Sequence, residues 1–246
     1  MNLLQDCVLI GAVLSLFAPS HTSAQDPRSV VSPNGQVEFR VFVAPQEENA
    51  LIRVAYQIRY YQSLIVDTSF LAIDVWSQEP MLGEATGLID SHTEKHPQYN
   101  SLTANYMQNG SLGRLLNIEA RAYDDGVAFR WIIPNSTPLR ELLIADESTQ
   151  FTLPVHVDPP PTLPAIFEEL GAGWVEITEV PVPHFPLMHL VPFEDNILLT
   201  RLARPAEKPE IVYTGTTPLT GPWRVVIVGP TRESIAHPAI LDDLSK

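Results

Sequence analysis

Cysteine and positive charge are both scarce in this chain. Its 246 residues include one cysteine, Cys7, and 15 lysines and arginines against 29 aspartates and glutamates. The resulting formal charge of −14 opposes contact with phosphate backbones or anionic bilayers, so no nucleic-acid partner is expected. Long apolar runs are scarce as well. Only residues 8–18, Val-Leu-Ile-Gly-Ala-Val-Leu-Ser-Leu-Phe-Ala, form one, and it is too short for a comfortable membrane span. Its length suits a signal peptide over 1–24, with Thr22-Ser23-Ala24 as a small-residue cleavage site before Gln25, although the preceding segment has no Lys or Arg and contains Asp6. Export to the periplasm or the exterior is the expectation. Cleavage would remove Cys7, leaving no disulfide, thiol nucleophile or cysteine metal site, and Cys7 precedes the apolar run rather than following it as in a lipoprotein. Also missing are a Gly-x-Gly-x-x-Gly turn, a phosphate loop, a His-Glu-x-x-His pair and a Gly-x-Ser-x-Gly elbow.

What is present is apolar alternation at a period of two. With 45% hydrophobic residues the chain can build a core. In Val37-Glu-Phe-Arg-Val-Phe-Val43, the residues Val37, Phe39, Val41 and Val43 share one face. Similar runs cover 52–61, 64–76, 115–123, 127–133, 147–153, 174–180, 197–202, 211–213 and 223–228. The 23 prolines cluster between them, as in Asp158-Pro-Pro-Pro-Thr-Leu-Pro164, which reads as a rigid surface loop. Many short strands without helical periods indicate an all-β, antiparallel sandwich with few short helices. The tail, 231–246, places Ile235, Ile240, Leu241 and Leu244 at loosely helical spacing.

The strongest local signal is Arg121-Ala-Tyr-Asp-Asp-Gly-Val-Ala-Phe-Arg-Trp-Ile-Ile-Pro134. A type I′ turn centred on Asp125-Gly126 would set Ala122 against Phe129, Ala120 against Trp131 and Ile118 against Ile133, all apolar, with Arg121 opposite Arg130 on the other face. The arginines then need carboxylate or carbonyl partners. Trp76, Trp131, Trp174 and Trp223 are expected to be core residues rather than a sugar-stacking platform.

The same stretch, with Val31-Ser-Pro-Asn-Gly35 before it and Gly221-Pro-Trp-Arg-Val-Val-Ile-Val228 after it, resembles the N-terminal domain of glycoside hydrolase family 97. That resemblance implies a large, galactose-mutarotase-like supersandwich over 25–230, followed by the tail 231–246 leading towards a (β/α)₈ catalytic barrel absent from this chain. The family's enzymes are calcium-dependent α-glucosidases or α-galactosidases. Hydrolysis needs two carboxyl groups about 5–9.5 Å apart, which spacing alone cannot select among 29 acids, and the family places them on the barrel. No catalytic residue is therefore expected here. One family residue does come from this domain, a glutamate that helps bind the active-site Ca²⁺. Glu176-Ile-Thr-Glu179-Val, with Phe185 and Met188-His-Leu190 downstream, matches that segment and puts Glu179 in the ligand position. The remaining oxygen ligands would come from the barrel. Val180-Pro-Val-Pro183 and His184-Phe185 depart from the family pattern after the glutamate. His184 and His189, five apart, fit neither a helix face nor a strand face, which makes zinc a poor reading.

The apolar N-terminal run and the family resemblance together imply an exported module that, as the resemblance has it, packs on a barrel, walls the pocket of an α-linked oligosaccharide and supplies Glu179 to calcium. The alternatives are a stand-alone carbohydrate-binding sandwich and a structural or adhesion sandwich.

Overall fold

The structure, a computed structural model, describes residues 28–47, 50–110, 113–156, 162–169, 173–194 and 196–246; the signal-peptide expectation for 1–24 lies outside the described residues. The strands, in chain order, are β1 (Arg28–Val31), β2 (Val37–Pro45), β3 (Ile52–Tyr60), β4 (Ser63–Leu71), β5 (Ile73–Val75), β6 (Gln78–Leu82), β7 (Thr86–Lys95), β8 (Tyr99–Gln108), β9 (Leu115–Tyr123) and β10 (Gly126–Ile133). They continue with β11 (Glu141–Glu147), β12 (Gln150–Thr152), β13 (Ala165–Glu169), β14 (Gly173–Val180), β15 (Met188–Glu194), β16 (Ile197–Leu202), β17 (Tyr213–Thr216), β18 (Leu219–Thr220) and β19 (Trp223–Gly229). A 3₁₀ turn, Glu233–Ile235, and a short helix, α1 (Ala239–Leu244), follow.

The strands form three antiparallel sheets, which confirms the all-β sandwich. One runs β1-β2-β3-β4-β12-β16-β15, a second β13-β14-β19-β10-β9-β8-β7, and a smaller third β17-β11-β5-β6. Period-two patterning decides which faces meet. Val37, Phe39 and Val41 on β2 are buried, as are Leu116, Ile118, Ala120 and Ala122 on β9, while Glu38, Arg40, Glu119 and Arg121 between them stay half-buried. Phe39, Tyr56 and Phe129 meet between the large sheets with ring centroids 4.6–5.7 Å apart, an arrangement that adds about 0.5–1.5 kcal/mol per pair beyond area burial.

β19 is buried on both faces. Val226 and Val228 face the main core, whereas Trp223, Val225 and Ile227 face outward into a second cluster closed by Ile235 and Ile240 of the tail. Burial of those two isoleucines contributes about 1.5–3 kcal/mol each. The first turn of α1 leaves backbone donors without intrahelical partners, and Asp125 supplies one acceptor, its Oδ2 accepting from the Ile240 N–H at 3.2 Å.

The β9–β10 hairpin forms with the expected core face but a different register. Tyr123 pairs with Gly126, Ala122 with Val127, Ala120 with Phe129 and Ile118 with Trp131, so the two-residue turn is Asp124-Asp125 rather than Asp125-Gly126. A shift by two preserves which face each side chain takes. Neither aspartate has positive φ, and Gly126 serves close approach instead of turn conformation: a Cβ there would run into the Val226 carbonyl of β19. Asp124 is held as well, its Oδ1 accepting from the Asn34 N–H at 2.9 Å. The register also separates the arginines, because Arg130 sits opposite Glu119 and Arg121 opposite Ala128.

Candidate functional site

Glu179 occupies the penultimate position of β14, opposite Arg224 of β19. Arg224 lies in the core with a wholly buried side chain. Its Nε donates to Glu147 Oε1 at 2.9 Å, its Nη2 to Glu147 Oε2 at 2.6 Å, and its Nη1 to Glu179 Oε2 at 2.5 Å. Glu147, at the end of β11 and equally buried, also accepts from the Trp131 indole N–H at 2.9 Å and the Thr149 hydroxyl at 2.7 Å. Glu179 Oε1 accepts from the Met188 N–H at 3.0 Å. One guanidinium thus ties the third sheet to the second across the core.

The two carboxylates respond differently to this setting. Burial opposes ionisation of Glu147, but the Arg224 charge and the hydrogen bonds from Arg224, Trp131 and Thr149 outweigh it and hold the carboxyl below its ordinary range. For Glu179 burial prevails over Arg224 and the Met188 N–H, and the repulsion of Glu147 adds to it, so its carboxyl is raised. Burial likewise opposes the charge on Arg224, but the two glutamates overcome it and push the guanidinium further up.

On the outer face of the second sheet, Arg121 and Arg130 find the partners that the hairpin pattern required. Arg130 pairs with Glu119 at 2.7 Å, and Arg121 lies 3.5 Å from Glu119 and 3.9 Å from Asp243 of α1. Both guanidinium groups also stack on Trp223, at 4.1 and 4.8 Å, and Arg121 covers Tyr99 at 4.7 Å. This is a stabilised face between strands and tail.

Trp131 and Trp223 are core residues as expected, and Trp174 packs partly buried against the second cluster. Trp76 departs from that expectation. It lies just past β5 with 45% of its surface exposed, because the chain turns there towards β6 at Ser77, a non-glycine residue with φ +57°.

The glycosyl-hydrolase 97 N-terminal family model matches residues 30–159, 130 of the 246. The chain belongs to that family. Among solved structures, a glycoside hydrolase family 97 enzyme from Pseudoalteromonas sp. strain K8, in complexes with panose and with acarbose, superposes with a TM-score of 0.75 at 15% identity over 89% of this chain. A β-arabinopyranosidase superposes with a TM-score of 0.69 at 19% identity over 84% of it. At such identities the likeness concerns the fold. This family 97 chain spans 38–40% of the length of those enzymes. No curated protein matches it.

Among the described residues, no three His, Cys, Asp or Glu side chains stand together so as to hold a metal. His184 and His189 are exposed and belong to no such group. Calcium takes six to eight oxygens, and Glu179 offers two, each already accepting one hydrogen bond and each retaining a lone pair. Its side chain is 6% exposed. A single carboxylate already engaged by Arg224 and the Met188 N–H would supply one ligand at most, so this chain's donor set does not amount to a complete site. Sequence spacing could not have found Arg224 as the partner of Glu179, or Glu147 as the second carboxylate on that guanidinium, since 45 and 32 residues separate them from Glu179 and only the β14–β19 and β11 packing brings them together.

Proposed function

We propose that this chain is the exported, non-catalytic module of a family 97 glycosidase, which packs on a catalytic barrel, walls one side of its sugar pocket and presents Glu179 as a single ligand to a calcium ion completed by barrel carboxylates. Family membership together with the two-fifths coverage of the enzymes carries the reading: this chain corresponds to a part of such an enzyme, and the rest of each enzyme has no counterpart in it. The orientation of Glu179 supports the calcium role. Ligating carboxylates are themselves commonly hydrogen-bonded by outer partners, and Arg224 with the Met188 N–H would be those partners here. When bound, calcium supplies Lewis-acid polarisation of a substrate oxygen or neutralises developing negative charge. No helix among the described residues is long and apolar enough to cross a membrane.

The test joins this chain to a family 97 barrel and titrates calcium against α-glucoside and α-galactoside hydrolysis. Glu179→Gln should weaken calcium activation by tenfold or more while leaving the fold intact. Unchanged calcium dependence would remove Glu179 from the ion.

A further inference from the structure

A second cleft lies between the third sheet and the segment that follows β16, bordered by Asp146, the residue next to Glu147 of the Arg224 cluster. It encloses about 480 Å³ and is bordered by Asp74, Trp76, Asp146, Arg201, Arg204 and Glu210. Several features distinguish it from ordinary surface. Asp74 on β5 and Asp146 on β11 are direct cross-strand partners, at a point where the register shifts between Ile144 and Asp146. Like charges opposite each other in a ladder repel, bulges of this kind re-aim side chains, and here the repulsion is met by the arginines beside Asp146.

The two carboxylates are held differently. Asp146 Oδ1 accepts from the backbone N–H groups of Glu147 and Leu202 at 2.9 and 3.0 Å, and its Oδ2 accepts from Arg204 Nη2 at 2.7 Å, with Arg201 Nε at 3.8 Å. Arg204 is fixed in turn by donating to the Pro209 carbonyl at 2.5 Å. Asp74, by contrast, makes no side-chain hydrogen bond to the described residues, and burial followed by the charges of Glu79 and Asp146 raises its carboxyl despite Arg204. Beside this set stands the half-exposed Trp76, so an aromatic ring borders the arginine donors and the half-buried Asp74 carboxylate.

The three acids and two arginines nearly balance, which disfavours a strongly charged ligand. A flat aromatic face beside preformed donors and acceptors matches a molecule with an apolar C–H face and a rim of hydroxyls, namely a pyranose ring. From this geometry we infer that the Trp76 cleft is a binding site for a neutral oligosaccharide, with a sugar ring on the Trp76 indole and hydroxyls donating to Asp74 and Asp146 and accepting from Arg201. All its lining residues come from this chain and Glu179 is not among them, so sugar binding is measured on the chain alone, without a barrel.

The test titrates the chain with neutral trisaccharides built from α-glucose (panose), β-glucose and galactose units, followed by calorimetry and by saturation-transfer NMR. Saturable binding of at least one is expected. Trp76→Ala and Asp74→Ala should each weaken it by about tenfold or more, with Trp76→Phe restoring part of the loss. An unchanged near-ultraviolet circular dichroism spectrum verifies that each variant is folded, and transfer from sugar to the Trp76 indole in the unsubstituted chain gives a readout that needs no variant. Absence of saturable binding by all three sugars overturns the inference, as does binding that survives both alanine variants. A Trp76→Ala chain that loses affinity for a barrel, when the unsubstituted chain binds no sugar, would show the cleft to be a protein contact and overturn it too.

Discussion

Arg224→Met is the most demanding perturbation of the core. The guanidinium is fully buried and makes three charge-assisted hydrogen bonds, two to Glu147 and one to Glu179. Methionine fills comparable volume, so the change is chiefly electrostatic. It leaves Glu147 with only Trp131 and Thr149 as side-chain donors, and Glu179 with only the Met188 N–H. Breaking a buried ion pair from one side costs about 3–5 kcal/mol, because the remaining charge is stranded. For a chain of this size that corresponds to a fall in Tm of roughly 6–20 °C, at about 2–4 °C per kcal/mol. Urea denaturation and thermal melts at neutral pH measure it. A second measurement isolates the cause. Without Arg224 the Glu147 carboxyl loses the main influence holding it down, so the deficit of the variant should shrink as acid protonates both glutamates. Pairing Arg224→Met with Glu147→Met should recover part of the loss, since an apolar pair replaces the ionic one. A loss under about 1 kcal/mol, or one that is equal at pH 7 and in acid, would refute the claim that this pair holds the sheets together.

The two glutamates should part company when each is replaced by glutamine. The folded state lowers the Glu147 carboxyl, so its stabilisation is present above the ordinary value near 4.5 and lost as pH falls through the folded value; Glu147→Gln should cost about 3 kcal/mol at pH 7 and progressively less in acid. The Glu179 carboxyl is raised, so folding favours its protonated form and its ionisation erodes stability as pH climbs from 4.5 through the raised value. Glu179→Gln should therefore lie within about 1 kcal/mol of the parent at pH 7, with the parent gaining on it as pH falls in urea titrations at stepped pH. Gly126→Ala forces a methyl group against the Val226 carbonyl and should cost about 1–3 kcal/mol by denaturant titration, whereas a mere turn glycine would tolerate alanine differently, through strain at positive φ.

Much of the fold was legible because one face of most strands is apolar at a period of two. Val37 to Val43 and Leu115 to Tyr123 read correctly for that reason, whereas Trp223 to Val228, buried on both faces, reads as a strand from its short apolar, β-branched run. β7 and β8, each ten residues long, escaped notice because β7 is an edge strand that is mostly exposed, and the alternation on β8 runs through Ala104 and Gln108 as well as Leu102 and Tyr106. The run 64–76 reads as one strand but changes sheets at Ala72, between β4 and β5, and no local signal marks that switch. The hairpin register was missed because Asp125-Gly126 carries a strong turn signal, whereas the glycine answers to a strand 100 residues away. Glu179 was singled out by family likeness. Its partner Arg224, the Glu147 that shares that guanidinium, and the exposed position of Trp76 beside Asp74 and Asp146 depend on long-range packing that spacing does not encode.

Hydrolysis by this chain alone, measured beside the same chain bound to a family 97 barrel, tests most directly the claim that it is a module and not the catalyst. The expected result is no turnover of α-glucosides, α-galactosides or panose by the isolated chain, stable association with the barrel, and activity only in the complex. Turnover by the isolated chain that survives repurification and is abolished by a substitution within it would contradict the account.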